Sequence, residues 1–305
     1  MDNTLSRPLA LALFCVVITI WGINWSVTKV IVGSVSPLWT TAMRTAIASI
    51  ALLVMLLASK QFIVPGRHDL RVVVAVSLFH MTAFSVLVAT GLQFAPVGRS
   101  IVLGYTTPLW VAPAAWLLLG ERITRAKAAG IMLGLAGLAV MFNPLAFDWG
   151  NGRALMGEGL ILAASLCWAA SIVTIRAHRW VASPFQLVFW QILLASVVLT
   201  TAALTIDGVP RIAWTPGLAG ALLYGGLCGT ALAYWAMTMV NRALPAITTS
   251  LGMLATPVVG IAVSAIVMGE AVDGTLIAAM MTILSGIAVG TVPWRLARQG
   301  ARVSS

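Results

Sequence analysis

Charged side chains are scarce in this chain. Only 9% of its 305 residues are Asp, Glu, Lys or Arg, whereas 60% belong to the hydrophobic set and the mean hydropathy is +1.02. A soluble domain of ordinary composition carries about 25% charged residues. So little polar surface cannot cover a soluble particle of this size, which indicates that lipid is the solvent for much of the chain.

Acidic residues are the scarcest charges, and they avoid the centres of the apolar runs. Eight Asp and Glu stand against 18 Lys and Arg, which gives a formal net charge of +10. No basic run suggests nucleic acid as a partner, so we expect the excess positive charge in loops that set membrane topology. The absence of a carboxylate at mid-span favours facilitated diffusion or exchange over carboxylate-based proton coupling. The acids lie in loops or at the ends of apolar runs: Asp2, Asp69, Glu121, Asp148, Glu158, Asp207, Glu270 and Asp273.

Catalytic and metal-binding motifs are also missing. The chain has no GxSxG, no HExxH and no Walker lysine loop, and its three cysteines stand singly in apolar runs. An enzyme inside the membrane would need a nucleophile with a base, paired carboxylates or metal ligands. We therefore predict that the protein is not an enzyme and binds no cofactor or metal. An intramembrane enzyme and a non-catalytic scaffold or receptor stay as alternatives of other classes.

Ten apolar runs are long enough to cross a bilayer, which takes about 20 residues of α-helix. Ten spans place both termini on one side, where the loops would hold thirteen Lys and Arg against four on the other side, with Arg44 inside a span. Because basic loops stay in the cytoplasm, we predict cytoplasmic termini and a bacterial inner membrane location. The predicted spans are 9–31, 37–58, 71–93, 98–119, 126–145, 158–179, 184–206, 217–240, 247–268 and 272–292.

The second half of the chain repeats the first. We therefore predict two domains, 1–150 and 151–305, each with five spans. Because five is odd, the second copy is inverted in the membrane, an arrangement that many transporters share. Residues 147 or 149 apart that match are Trp21 with Trp168, Ser36-Pro37 with Ser183-Pro184, Pro96 with Pro245, Pro108 with Pro257, and Gly120-Glu121 with Gly269-Glu270.

These motifs, in this order, resemble a known family. Trp21-Gly22 followed by Lys29, Pro37 and Arg44, and the matching runs 99–121 and 249–270, each followed by a glycine-rich span, are similar to EamA-type transporters of the drug/metabolite transporter superfamily. Within it, the chain resembles the branch of YddG-type aromatic amino acid exporters.

The resemblance implies an all-α membrane protein of ten transmembrane helices, with a central cavity lined mainly by helices 1, 3, 4, 6, 8 and 9. It implies an exporter or facilitative carrier of amino acids, aromatic or apolar ones favoured, that works by alternating access. A proton-coupled exporter of drugs or other metabolites is the alternative. The expected partners are a small-molecule substrate and membrane lipid, and the choice between monomer and homodimer stays open.

Aromatic and polar side chains deep in the spans are the candidates for substrate binding. An indole inside the membrane offers a flat face and needs a partner for its N–H group. His80 could donate to a substrate carboxylate, respond to pH or bond a neighbouring helix. Arg44 is expected to have a structural role, because helix 2 is peripheral in the resembled fold. The predicted substrate-binding residues are Trp21, Asn24, His80, Phe84, Tyr105, Trp168, Ser171, Tyr234 and Met253.

Paired prolines and paired charges suggest moving parts. Pro108 and Pro257 each remove a helical hydrogen bond near mid-span, so we predict hinges there, with packing kinks as the alternative. Lys29 and Glu270 would lie on the external side of the membrane, and Glu121 and Arg176 on the cytoplasmic side. Since inversion relates the two pairs, we predict that they act as alternating gates. Glycine-rich faces on spans 5 and 10 could serve internal packing or a dimer.

Overall fold

The computed structural model describes residues 6–142, 149–244, 248–249 and 252–291, and within these ranges it contains helices and no strands. We number the helices in chain order as α1 (Arg7–Val32), α2 (Pro37–Ala58), α3 (Arg67–Phe94), α4 (Val97–Leu119), α5 (Arg125–Met141), α6 (Gly152–Ala177), α7 (Pro184–Ile206), α8 (Pro216–Ala243), α9 (Ala255–Met268) and α10 (Gly274–Thr291).

Seven of these helices are long and apolar enough to cross a membrane: α1, α2, α3, α4, α6, α7 and α8. The α9 and α10 helices are shorter apolar segments, and α5 has 17 residues. The predicted spans 126–145, 247–268 and 272–292 each include residues outside the described ranges. The all-helical membrane fold is confirmed, and the count of ten crossings stays a prediction.

Local sequence signals explain where several helices begin and end. Ser36 and Ser183 each precede a proline and accept a hydrogen bond from the backbone of the following turn, and Ser183 forms a capping box with Gln186. The α4 and α9 helices both end at a left-handed glycine, Gly120 with φ 68° and Gly269 with φ 66°. The motifs that match between the two halves thus form the same local structures.

Two π-helical segments interrupt α3 and α8. Residues Val76–Phe84 and Tyr224–Leu232 are each nine residues long and lie 148 positions apart in the sequence. A π-helical turn widens the helix and shifts its side chains, and such turns are frequent at functional sites. Both segments contribute residues to the central cavity described below.

Equivalent helices of the two halves pack against each other. The most extensive helix pair over the described residues is α5 with α10, and α2 packs along α7. In the centre α1 packs on α8 and α9, and α6 packs on α3 and α4. Exchanging the two halves maps one set of contacts onto the other.

Glycines allow α5 and α10 to approach backbone to backbone. A Cβ atom added to Gly130 would lie 2.5 Å from the carbonyl oxygen of Gly286, and one added to Gly286 would lie 2.6 Å from that of Gly130. Gly137 meets the backbone of Ala279 and Ile283 in the same way. Of the two alternatives for these glycine faces, the structure shows packing within the chain.

Candidate functional site

A cavity of about 120 Å³ lies between six helices at the centre of the fold. Residues from α1, α2, α3 and α8 supply most of its wall, with one residue each from α4 and α6. The lining residues are Trp21, Asn24, Trp25, Thr28, Thr41, Arg44, Thr45, His80, Met81, Phe84, Ser85, Val88, Tyr105, Trp168, Gly229, Thr230 and Tyr234. The wall therefore combines aromatic rings with a polar patch, a composition typical of small-molecule sites.

Aromatic rings form a continuous layer on one side of this cavity. His80 stacks on Trp168 with ring centroids 5.3 Å apart and planes inclined by 16°. Phe84 and Tyr105 contact the same indole at 5.3 and 6.1 Å. A hydrogen bond of 3.2 Å joins the hydroxyl of Tyr234 to Nε2 of His80. The layer offers flat apolar surface and fixes His80 against a neighbouring helix.

Polar side chains from α1 and α2 form another part of the cavity wall. Arg44 donates from Nη1 to Oγ1 of Thr28 at 2.9 Å, and Thr28 donates to the carbonyl oxygen of Asn24 at 2.7 Å. The Nε–H of Arg44 and Oδ1 of Asn24 are buried and make no hydrogen bond among the described residues. Two polar atoms, one donor and one acceptor, are thus left for a ligand.

A row of glycines on α8 makes room for these polar side chains. A Cβ atom on Gly225 would lie 2.8 Å from Nε of Arg44, and one on Gly229 would overlap the amide of Asn24. Gly229 also accepts a hydrogen bond of 3.2 Å from Nε1 of Trp21 through its carbonyl oxygen. The backbone of α8 therefore forms part of the cavity wall and positions its side chains.

The structure places seven of the nine predicted binding residues in this lining and corrects two expectations. Met253 lines a second cavity instead, and Ser171 is buried outside both linings. The correct neighbours of Trp168 on α6 are Ile172 and Arg176, at steps of four residues, whereas a step of three leads to the buried face. Arg44 lies in the cavity wall, although α2 was expected to be peripheral.

The second cavity, of about 530 Å³, adjoins the first. It shares Tyr105 and Trp168 with the central cavity and extends to Lys127 and Arg176 at the ends of α5 and α6. Pro108 faces this cavity, two residues after the α4 helix is interrupted at Tyr105 and Thr106. A turn at Met253 and Leu254 likewise precedes Pro257 in α9. Both predicted hinge prolines thus lie two or three residues after a non-helical turn.

The two predicted gate pairs differ in the structure. Arg176 lies 3.4 Å from a carboxylate oxygen of Glu121, which also accepts from Lys127 at 3.2 Å. Lys29 and Glu270, however, bond to the backbone around Ala95 rather than to each other. Lys29 donates to the carbonyl oxygens of Leu92 and Ala95, and Glu270 accepts from the N–H groups of Val97 and Gly98 at 2.7 and 2.9 Å. Both of these charges thus bind the backbone of the α3–α4 turn, and their action as a gate stays a prediction.

Electrostatics at the inner pair favour the ionised carboxylate. The hydrogen bond from Lys127, followed by the positive charges of Arg176 and Lys127, holds the pKa of Glu121 below its ordinary value. Glu121 remains charged at neutral pH. Among the described residues no group of three His, Cys, Asp or Glu side chains could hold a metal ion.

The fold and this cavity define a polytopic membrane protein with a central cavity that suits a small solute. The chain belongs to the EamA-like transporter family, whose model matches it twice, over residues 8–143 and 155–291. The resemblance to EamA-type transporters of the drug/metabolite superfamily is confirmed, and the chain is a transporter of this family.

Relatives of known name are transporters as well. The chain is 24% identical over 272 residues to the uncharacterized transporter YoaV of Bacillus subtilis, covering 89% of this chain and 93% of the relative. It is 25% identical over 300 residues to a probable amino-acid metabolite efflux pump of Salmonella typhimurium, covering 94% and 96%. A solved crystal structure with 22% identity superposes at a TM-score of 0.66 over 96% of this chain and 99% of that one, which supports the fold.

Proposed function

We propose that this chain is an exporter or facilitative carrier of amino acids, with aromatic and apolar side chains favoured. The observation that carries the proposal is the layer formed by Trp168, His80 and Phe84 in a cavity that also holds unsatisfied polar groups. The aromatic layer suits a flat or apolar side chain. The free Oδ1 of Asn24 suits the ammonium group of an amino acid. Relatives named as probable amino-acid metabolite efflux pumps support this substrate class.

The proposal also includes the membrane topology. The chain would cross a bacterial inner membrane ten times, in two inverted repeats, 1–150 and 151–305, with both termini in the cytoplasm. Support comes from the π-helical segments of α3 and α8 and from the equivalent glycine caps. In this arrangement the second cavity opens toward the cytoplasm, and Tyr105 and Trp168 separate it from the central one. Exchange of conformation between the two halves would open the central cavity to the other side. The YddG-type branch stays a prediction.

Transport by purified protein in liposomes tests the proposal. Uptake of labelled tryptophan and phenylalanine, and then of a wider metabolite panel, is measured with and without a pH gradient. We expect saturable flux that the gradient does not change. Gradient-dependent flux would instead support the proton-coupled alternative, with His80 as the titratable group in the cavity wall. An enzyme would alter the compounds, and a scaffold would leave them outside.

A matched pair of tryptophan variants links the flux to the cavity. Trp168→Leu removes the flat face and keeps apolar volume, and we expect the half-saturating concentration to rise about ten-fold, the equivalent of ~1.4 kcal/mol. Trp116→Leu, on a side chain that is 55% exposed on α4, should leave the flux unchanged. Absence of flux for every compound, in protein shown to be folded, would refute the proposed function.

A further inference from the structure

Arg44 is a cation inside the fold with spare hydrogen-bonding capacity. It stands eighth in α2, about 10 Å along the helix from its start at Pro37. Thr28 accepts one hydrogen bond from the guanidinium, and the buried Nε–H has no acceptor among the described residues. The hydroxyl of Thr28 donates its own proton to the carbonyl oxygen of Asn24, which fixes the direction in which its oxygen accepts from the guanidinium. Arg44 is one of the residues that line the cavity.

No acidic side chain of the described residues neutralises Arg44. A buried charge at membrane depth is costly unless it is paired or hydrated. The described acids have partners elsewhere: Asp69 bonds His178, Glu121 bonds Lys127 and Arg176, Glu158 bonds Arg99, Asp207 bonds Ser36, Glu270 bonds the backbone of Val97 and Gly98, and Asp273 bonds the backbone of Leu276. No carboxylate of the described residues therefore balances Arg44, which leaves its charge available to an anionic ligand.

We propose that Arg44 forms a carboxylate-binding subsite of the central cavity, with Thr28 as its positioning residue. The inference rests on the proposed transport function and sharpens it: the substrate carries an anionic carboxylate at one end and a flat or apolar group at the other. The guanidinium fork matches two carboxylate oxygens, and the aromatic layer around Trp168 receives the apolar end. A single arginine in about 120 Å³ fits a singly charged group better than a phosphate, which usually has several cationic partners.

The same geometry excludes organic cations. An amine placed in this cavity would bring a second positive charge next to Arg44 in a setting of low dielectric constant, and no described carboxylate lines the wall. The subsite therefore distinguishes a carrier of amino acids and other carboxylates from an exporter of cationic drugs.

A series of three ligands with the same carbon skeleton and different charges tests the subsite. Binding of 3-phenylpropionate, of its neutral amide 3-phenylpropionamide and of 3-phenylpropylamine to the purified full-length protein is measured by calorimetry. We expect the carboxylate to bind about ten- to hundred-fold more tightly than the amide, as charged hydrogen bonds typically require, and the amine to bind more weakly than the amide.

Variants assign the selectivity to Arg44. In Arg44→Gln the carboxylate and the amide should bind equally, while Arg44→Lys should keep part of the preference because it keeps the charge but not the fork. Arg71→Gln, an exposed arginine of α3, should behave as the wild type. If Arg44→Gln does not fold, the wild-type ligand series and the Arg44→Lys variant still test whether the subsite binds a carboxylate.

The inference is overturned if the folded wild type binds the amide or the amine as tightly as the acid, if it binds none of the three, or if Arg44→Gln keeps the preference. Its failure is separate from that of the proposed function. Flux of phenylalanine without carboxylate selectivity would retain the transporter and remove the subsite. Selective, Arg44-dependent binding without flux of any compound would retain the subsite and remove transport.

Discussion

Single glycines on α8 decide how much space the cavity offers. Gly225 and Gly229 stand where the side chains of Arg44 and Asn24 reach the helix, and a methyl group at Gly229 would overlap the Asn24 amide. Since Asn24 cannot retreat without disturbing its neighbours in the wall, this contact is expected to be sensitive to a single added carbon atom.

Gly229→Ala should therefore lower both the thermal stability and the substrate affinity of the protein. Overpacking of this kind costs about 1–3 kcal/mol. Gly220→Ala is the matched control, because Gly220 lies in the same helix with open space around it and alanine favours helix by up to ~1 kcal/mol. Thermal melting of the purified variants measures the difference. Equal melting temperatures for the two variants would contradict the described contact.

Residue chemistry in the sequence predicted much of the site. Trp21, His80 and Trp168 stood out because polar or indole groups inside an apolar span need partners, and all three line the central cavity. Arg44 met the same criterion, but the resemblance placed helix 2 at the periphery and so favoured a structural role. Ser171 was wrongly placed because a step of three and a step of four on a helix differ by 100° in direction, and sequence alone does not choose between them.

Helix ends carry the charges that were predicted as gates, and their partners determine what those charges can do. At the outer end, Lys29 binds carbonyl oxygens and Glu270 binds N–H groups, so each charge has the sign that its backbone partners require. At the inner end, Glu121 and Arg176 meet side chain to side chain. The two ends should therefore respond differently when the charges are exchanged.

The double variant Lys29→Glu/Glu270→Lys should be less stable than either single variant. Exchange places a carboxylate against carbonyl oxygens and an ammonium against N–H groups, and each loss is worth roughly 1.5–3 kcal/mol. The double variant Glu121→Arg/Arg176→Glu, in contrast, should recover part of the stability lost in its single variants. Melting temperatures of all six proteins measure both effects. Recovery at the outer end would show a mutual ion pair there.

The inner contact should not depend on pH near neutrality. Its cations keep the pKa of Glu121 below the ordinary glutamate value of 4.5. A lowered pKa in the folded state gives stability that is fully present above the ordinary value and is lost as the pH falls toward the folded one. The difference in melting temperature between wild type and Glu121→Gln should thus stay constant from pH 8 to about 5 and shrink only in more acidic solution. A difference that shrinks near pH 6 would contradict this arrangement.

The π-helical segments are the elements that the sequence could not predict. Both segments, Val76–Phe84 and Tyr224–Leu232, are only nine residues long and mostly apolar, so their hydropathy shows no period that would separate π-helical from α-helical hydrogen bonding. The two segments lie 148 positions apart, close to the spacing of the repeat motifs, but this relation can be recognised only once the backbone is known.

At the scale of the whole molecule, long apolar runs predicted the helices well, because lipid leaves the backbone no alternative to internal hydrogen bonding. The starts of α2 and α7 coincide with the predicted residues Pro37 and Pro184. The number of crossings and the side on which the termini lie depend on the membrane itself and on residues outside the described ranges, so both are open to experiment.

Cysteine labelling tests this topology. With Cys15, Cys167 and Cys228 replaced by serine, Arg211→Cys should react with a membrane-impermeant maleimide in intact cells. Gln61→Cys should react only after the cells are permeabilised, because the excess of basic loops places its side in the cytoplasm. Both positions are exposed, so accessibility is comparable. The opposite labelling pattern would invert the orientation, and equal labelling of both positions would refute the odd number of crossings, five, that is predicted between them.

The contact between α5 and α10 also has a consequence for heredity. Every single-base change of a glycine codon that encodes a different amino acid introduces a Cβ atom. At Gly130 and Gly286 that atom would meet a carbonyl oxygen of the facing backbone at 2.5–2.6 Å. No missense step from these two codons leaves the contact intact. In a library of all point mutants selected for function, these positions should therefore return almost nothing but the parental glycine, while codons for exposed glycines such as Gly220 diversify freely.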